Sequence, residues 1–238
     1  MSIETTPAIS SLCALGQLLH LADPTLPIGG FNHSGGLETF VQQRVVYDEI
    51  SLRDFVTTQL QQSLRHNDGA YVALAYDATI NQTLTALLSL DDQIGATKVP
   101  REMRDSSAKL GVRLLKIFAP RINHELLTHF QAAISQQHAR GFYPLVFGLV
   151  AALLGLDKAQ TLYAFYYNSA VGMVTNGVKL IPLGQMAGQD ILFGLHSLIA
   201  ETVAHSLTPP SQYVGATTLA TDIRAMQHER LYTRLYMS

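Results

Sequence analysis

Pro144-Leu145-Val146-Phe147-Gly148-Leu149-Val150-Ala151-Ala152-Leu153-Leu154-Gly155-Leu156 is the most apolar run of the chain. It offers about a dozen residues before Asp157 and Lys158, against the roughly 20 that a bilayer requires. Apolar on every side, it reads as a helix enclosed within a folded core and not as a membrane span. A helix hidden all round needs neighbours all round, and the sequence on both sides supplies helical patterns.

Downstream, Asp157 is placed to cap a long helix running to about Lys179. Pro182 ends that helix, and Leu183-Gly184-Gln185 leads into another that reaches about Ser206. Upstream, Asn123 to Arg140 carries Leu126, Leu127, Phe130 and Ile134 on one side, with Gly141 as the expected stop. A further helix begins at Pro100 or Arg101. Its acids Glu102 and Asp105 come early and its bases Lys109, Arg113 and Lys116 late, the order that suits a helix dipole, and Met103, Leu110, Leu114 and Ile117 form its core face.

Ser51 followed by Asp54 has the spacing of a capping box before Leu52, Phe55, Val56, Leu60 and Leu64. Leu12, Leu15 and Leu19 share one face of the first helix. Asp91 to Val99 is polar enough to read as a loop, and Leu207 to Ala220, with Pro209-Pro210, as an irregular connection. No segment alternates polar and apolar residues as a half-buried strand does. The expectation is an all-α single domain spanning residues 1–238.

Composition narrows the function. The 238 residues are 47% hydrophobic and 14% charged, with a formal net charge of -2 and no run of Lys or Arg, which argues against a grip on nucleic acid. So much apolar surface in a weakly charged chain must go either into an unusually large core or into contacts between chains, and oligomerisation is the economical answer. Cys13 is the one cysteine, so neither a disulfide framework nor a thiolate metal cluster is expected. The start, Met1 to Pro7, lacks the charge and apolar core of a signal peptide, and a cytoplasmic setting is expected.

Catalytic and cofactor patterns fail one by one. His228-Glu229 opens like a zinc-protease helix, but the second His position holds Tyr232. Gly172 and Gly177 have phosphate-loop spacing, yet Val178 separates Gly177 from Lys179. No Gly-x-Ser-x-Gly elbow occurs, and Cys13 has no activating neighbour in sequence. The nine histidines are scattered, with His33 and His228 the weak candidates for a metal ligand. No enzyme and no cofactor are expected.

Two segments remain unusual. Asp23 to Glu38 packs Pro24, Pro27, Gly29, Gly30, Gly35 and Gly36 between two helical patterns, a shaped connection whose Leu26, Ile28 and Phe31 should pack against the body or another chain. Thr221 to Ser238 keeps large apolar and aromatic side chains to the end, where chains are usually polar and frayed. Arg and Tyr there are the types enriched at interface centres.

The chain closely resembles the urease accessory protein UreF family. The resemblance is carried by Leu18-Leu19 through Leu26-Pro27-Ile28-Gly29-Gly30-Phe31; Ser34 to Glu38; Arg101-Glu102 to Leu114; Val146-Phe147-Gly148; Lys179-Leu180-Ile181-Pro182-Leu183-Gly184-Gln185 with Gly188-Gln189; and Met226-Gln227-His228-Glu229 through Tyr232, Arg234-Leu235 and Ser238. It implies an all-helical dimer that catalyses nothing itself and bridges UreD (also called UreH) and the GTPase UreG, so that GTP-dependent nickel delivery into apo-urease proceeds. Carried onto this sequence, the partner contacts fall on Pro27, Phe31, His33, Glu38, Gln189, Tyr232, Arg234, Tyr236 and Ser238. Arg234 is the sharpest choice, its guanidinium forking onto a carboxylate or carbonyls to lock the tail when a partner arrives. Asn32-His33 departs from the family's frequent Tyr or Ser-rich stretch. Rival readings make the chain a nickel carrier through His33 or His228, a regulator that supplies Arg234 to a GTPase, or an unrecognised helical enzyme.

Overall fold

The computed structural model describes residues 6–30, 33–232 and 234–236. Among them every regular element is helical: α1 (Thr6–Leu21), α2 (Leu37–Gln42), α3 (Glu49–Thr58), α4 (Asp68–Ile80), α5 (Leu84–Thr97), α6 (Arg101–Phe118), α7 (Glu125–Ser135), α8 (Tyr143–Leu153), α9 (Lys158–Leu180), α10 (Gln185–Gly194), α11 (His196–Ser206) and α12 (Leu219–His228). Gln59–Leu64 continues α3 as a π-helical segment.

The run that opens the sequence argument becomes α8, and Pro144 to Ala152 are all buried. Its nearest neighbours are α4 and α6, with α9, α5 and α1 around them. Glycine makes the closest approaches. A Cβ at Gly148 would lie 2.3 Å from the Val72 carbonyl oxygen of α4, and one at Gly111 of α6 would lie 2.0 Å from the Gly141 oxygen just ahead of α8. Since backbone cannot yield as a side chain does, these glycines set how near the helices come. Phe142, Phe147 and Phe130 fill the space around them, fully buried.

Several elements depart from the sequence reading for identifiable reasons. The capping box of α3 belongs to Asp48 and Ser51, one turn earlier than Ser51 and Asp54: Asp48 accepts from the Ser51 amide, while the Ser51 hydroxyl accepts from the Asp48 amide. Helix α7 stops at Ser135, with Gln137 in the left-handed region at φ 63°, so Gly141 is not its terminator. Asp91 to Thr97 continue α5 and do not form a loop. Asp91 is buried and accepts from the backbone amides of Arg140, Gly141 and Phe142, so its polarity serves the link into α8. Burial pushes its carboxyl above the usual range, against the lowering effect of those amides. The pattern after Pro182 divides at Leu195 into α10 and α11.

Helix α1 holds the largest surprise. Leu18 and Leu21 point inward, whereas Ile9, Leu12, Leu15 and Leu19 are 59%, 65%, 47% and 64% exposed. The face its leucines share looks away from the body. Among the described residues no helix is long and apolar enough to cross a membrane.

Candidate functional site

The two unusual segments meet. The connection leaves α1 through Asp23, whose carboxylate accepts from the amide and hydroxyl of Thr25 and is thereby held below the usual carboxylate range. Leu26 and Ile28 are buried, as their apolar character demands, while Pro27 stays exposed. The body grips the segment by its carbonyls: Asn168 donates to Ala22, Arg113 to Ile28 and Asn176 to His33. Beneath lies a cavity of about 640 Å³, lined by Phe55, Leu110 and Phe165 and reaching the Asp68–Lys98 ion pair. His33 is half-buried, and desolvation, then the charges of Lys109 and Arg113, push its imidazole below its ordinary value.

Gly36, at φ 88°, starts α2 and brings it against α12. A Cβ there would sit 3.3 Å from the Ala225 backbone nitrogen. Glu38 is therefore carried under α12, where it is 2% exposed. Its Oε2 stands 3.0 Å from Nε2 of the fully buried His228. On the other side of that ring, Nδ1 stands 3.0 Å from Oε2 of Glu102, in the first turn of α6. Glu102 Oε1 accepts from Nη1 of Arg234 at 2.7 Å. Glu38 also accepts from the backbone amides of Leu235 and Tyr236, at 2.8 and 3.2 Å. One chain of contacts thus runs Glu38, His228, Glu102, Arg234, and Glu38 grips the backbone that Arg234 precedes. Arg101 pairs with Glu229 at its edge. Further along α12, Gln59 donates to Thr221, and Ser63 contacts Thr218.

This arrangement places the residues singled out from sequence. Glu38, Arg234 and Tyr236 come together in the network, with Glu38 facing inward. Tyr232 is fully exposed beside them. Pro27 and His33 lie along the connection, Gln189 is exposed on α10, and Phe31 and Ser238 lie outside the described residues. Both ring nitrogens of His228 face carboxylates, and among the described residues no group of three His, Cys, Asp or Glu is arranged to hold an ion. Sequence reasoning missed Glu102 as the link between His228 and Arg234, and Arg113, Asn168 and Asn176 as clamps. Glu102 and Arg113 carry a signal only as an early acid and a late base of one amphipathic helix, and Asn168 and Asn176 carry none.

The described chain is an all-helical protein whose C-terminal segment is joined through Glu38, His228 and Glu102 to a clamped glycine-rich connection. It belongs to the UreF family, whose model matches residues 46–196. The chain is 62% identical over 224 residues to the urease accessory protein UreF of Actinobacillus pleuropneumoniae serotype 5b (strain L20), covering 94% of this chain and 99% of that protein. It is 61% identical over 228 residues to the urease accessory protein UreF of Haemophilus influenzae (strain PittEE), covering 96% and 97%. A more distant relative, the urease accessory protein UreF of Bacillus sp. (strain TB-90), is 32% identical over 222 residues, covering 93% and 98%.

Proposed function

We propose that this chain is a urease accessory protein: a non-catalytic, cytoplasmic, single-domain scaffold, working as a homodimer, that bridges UreD/UreH and the GTPase UreG so that nickel enters apo-urease in a GTP-dependent step. The observation that carries this reading is the junction itself. Side chains that a frayed terminus would leave loose are held in register, with exposed Ile223, Met226, Tyr232 and Leu235 displayed along residues 221–238 beside the connection. Large exposed apolar and aromatic groups on an ordered support are what another polypeptide buries.

The outward stripe of α1 supports the dimer. Ile9, Leu12, Leu15 and Leu19 lie on a helix without a single Asp, Glu, Lys or Arg, so two copies can pair with no charge repulsion. The rivals have less support. Arg234 is engaged by Glu102, and both ring nitrogens of His228 are already within hydrogen-bond distance of carboxylates.

Size-exclusion chromatography with light scattering tests the scaffold. The expected result is a dimer alone and discrete larger assemblies with UreD/UreH, then with UreG. A monomer that ignores both partners, from cells whose urease matures normally without it, overturns the reading. Equilibrium dialysis separates the carrier, which would retain stoichiometric nickel, and GTP turnover by UreG with and without the chain separates the regulator.

A further inference from the structure

One glycine inside α9 has no packing reason to be there. A Cβ at Gly177 would lie 2.4 Å from the Leu52 side chain, which explains that glycine, but a Cβ at Gly172 would meet nothing within 4 Å. Glycine is a poor helix former, so an open position in the middle of Lys158–Leu180 favours any larger residue unless the space itself is used. Phe165, Ser169, Gly172 and Asn176 share one face of the helix, and all four line the cavity of about 640 Å³ beneath the connection. Gly172 therefore keeps that cavity roomy.

The walls are largely apolar, and an incomplete ion pair stands among them. Lys98 is 6% exposed, and its Nζ donates to Oδ2 of Asp68 at 2.8 Å, its one contact among the described residues. An ammonium carries three N–H groups, so two remain without a protein acceptor where an unpaired donor is costly. Oδ1 of Asp68 likewise accepts from no described residue. The pair is neutral as a unit and offers donors beside an acceptor. Tyr143 also lines the cavity; burial, then the Asp68 charge, push its phenol above the ordinary value, so it keeps its hydrogen. Pro24, Thr25 and Thr175 line the cavity and are exposed, which gives a way in.

We propose that this cavity binds a small uncharged molecule with an apolar body and a primary amide head, whose carbonyl oxygen accepts from Lys98 while its N–H donates to Oδ1 of Asp68. An amide is the match because it carries an acceptor and a donor on one carbon, the complement of what the ion pair presents. A carboxylate would bring a second negative charge to Asp68, and an amine a second positive charge to Lys98. The body lies against Phe55, Leu110 and Phe165 and occupies the room that Gly172 leaves. This site is a property of the chain alone and stands whether or not the chain bridges other proteins.

The test titrates the full chain with three probes of one length: hexanamide, hexanoate and hexylammonium. Hexanamide should bind one to one with a Kd of about 1 mM or tighter, and about tenfold or more tightly than either charged probe. Methionine methyl spectra locate it. The signals of Met103 and Met173, which line the cavity, should move with hexanamide concentration, while those of Met186 on α10 and Met226 on α12 stay. Gly172→Leu fills the open space with no expected loss of thermal midpoint, and should weaken hexanamide about tenfold or more. Should that variant fold poorly, the probe preference and the methionine shifts of the parent decide. No saturable binding of hexanamide, as from a cavity that takes only water, overturns the site. So does binding that leaves Met103 and Met173 unmoved, or that a folded Gly172→Leu chain retains in full. Equal affinity for all three probes overturns the amide head.

Discussion

Helices α1 and α8 are made of nearly the same material and meet opposite fates. Neither contains Asp, Glu, Lys or Arg, and both are rich in Leu and Ala with one glycine each. Yet α8 is enclosed on every side, while α1 seats Leu18 and Leu21 on the body and turns Ile9, Leu12, Leu15 and Leu19 outward. The difference lies in the neighbours. Around α8 the chain supplies α4 and α6 at backbone distance through Gly148 and Gly111. Around α1, among the described residues, it supplies contacts to α8 and α9 and the ring of Phe118 of α6 at its C-terminal end, and leaves the stripe of Ile9, Leu12, Leu15 and Leu19 outward. Apolar composition says that a surface will be covered; the rest of the chain decides whether from within or from outside.

The most severe way to break the comparison is to disturb the enclosed helix. Gly148→Ala places a methyl group 2.3 Å from the Val72 carbonyl, so α4 and α8 must part, and a loss of about 3 kcal/mol or more is expected in denaturant unfolding. Removing the polar clamp that delivers the chain into α8 comes next. Asp91→Ala strips three backbone amides of their acceptor in a buried place, for a loss of about 2–3 kcal/mol by the same measurement.

The exposed helix should behave in reverse. Leu12→Asp with Leu15→Asp puts charge where side chains are 65% and 47% exposed, so unfolding should move by less than about 0.5 kcal/mol per site, while light scattering should register half the parent's mass under the proposal that the parent is a dimer. Leu149→Asp, the same chemistry on α8, is expected to yield no folded protein. A pair of aspartates on α1 that unfolded the chain, or left a dimer intact, would erase the distinction.

How much of this was legible in the sequence follows the same division. Helical class, the enclosed nature of Pro144 to Leu156, the Asp157 cap and the Pro182 stop rest on local rules, and they appear where those rules place them. The outward turn of α1 is not local, because spacing defines a stripe without saying what faces it. Asp91 misled for a related reason. A polar residue in an apolar helix resembles a loop residue unless its distant acceptor role, toward residues 140–142, is known. At the candidate site, Glu38, Arg234 and Tyr236 were found through resemblance. Glu102 was noticed only as an acid suited to a helix N-terminus, because its contacts with His228 and Arg234 join residues more than a hundred positions apart.

Between enclosed and open surface lies the connection, and His33 gives the finest probe of it. Desolvation, Lys109 and Arg113 hold its imidazole below the ordinary value near 6.5, outweighing the opposite pull of Glu102. In the unfolded chain the ring gains its proton as pH falls through about 6.5, whereas in the folded chain it resists until lower pH. The unfolded state therefore binds more protons in that window, and stability must decline as pH falls through it. His33→Gln removes the titrating group while the backbone contacts of residue 33, its amide to Gly30 and its carbonyl to Asn176, can persist. Because the ring is partly exposed and solvent screens its neighbours, the gain at pH 5 relative to pH 7 should stay below about 1 kcal/mol. Denaturant midpoints of the parent and His33→Gln at those two pH values would show it as a smaller acid-side loss in the variant. An equal loss in both would mean that the connection leaves His33 as open to solvent as the outer face of α1.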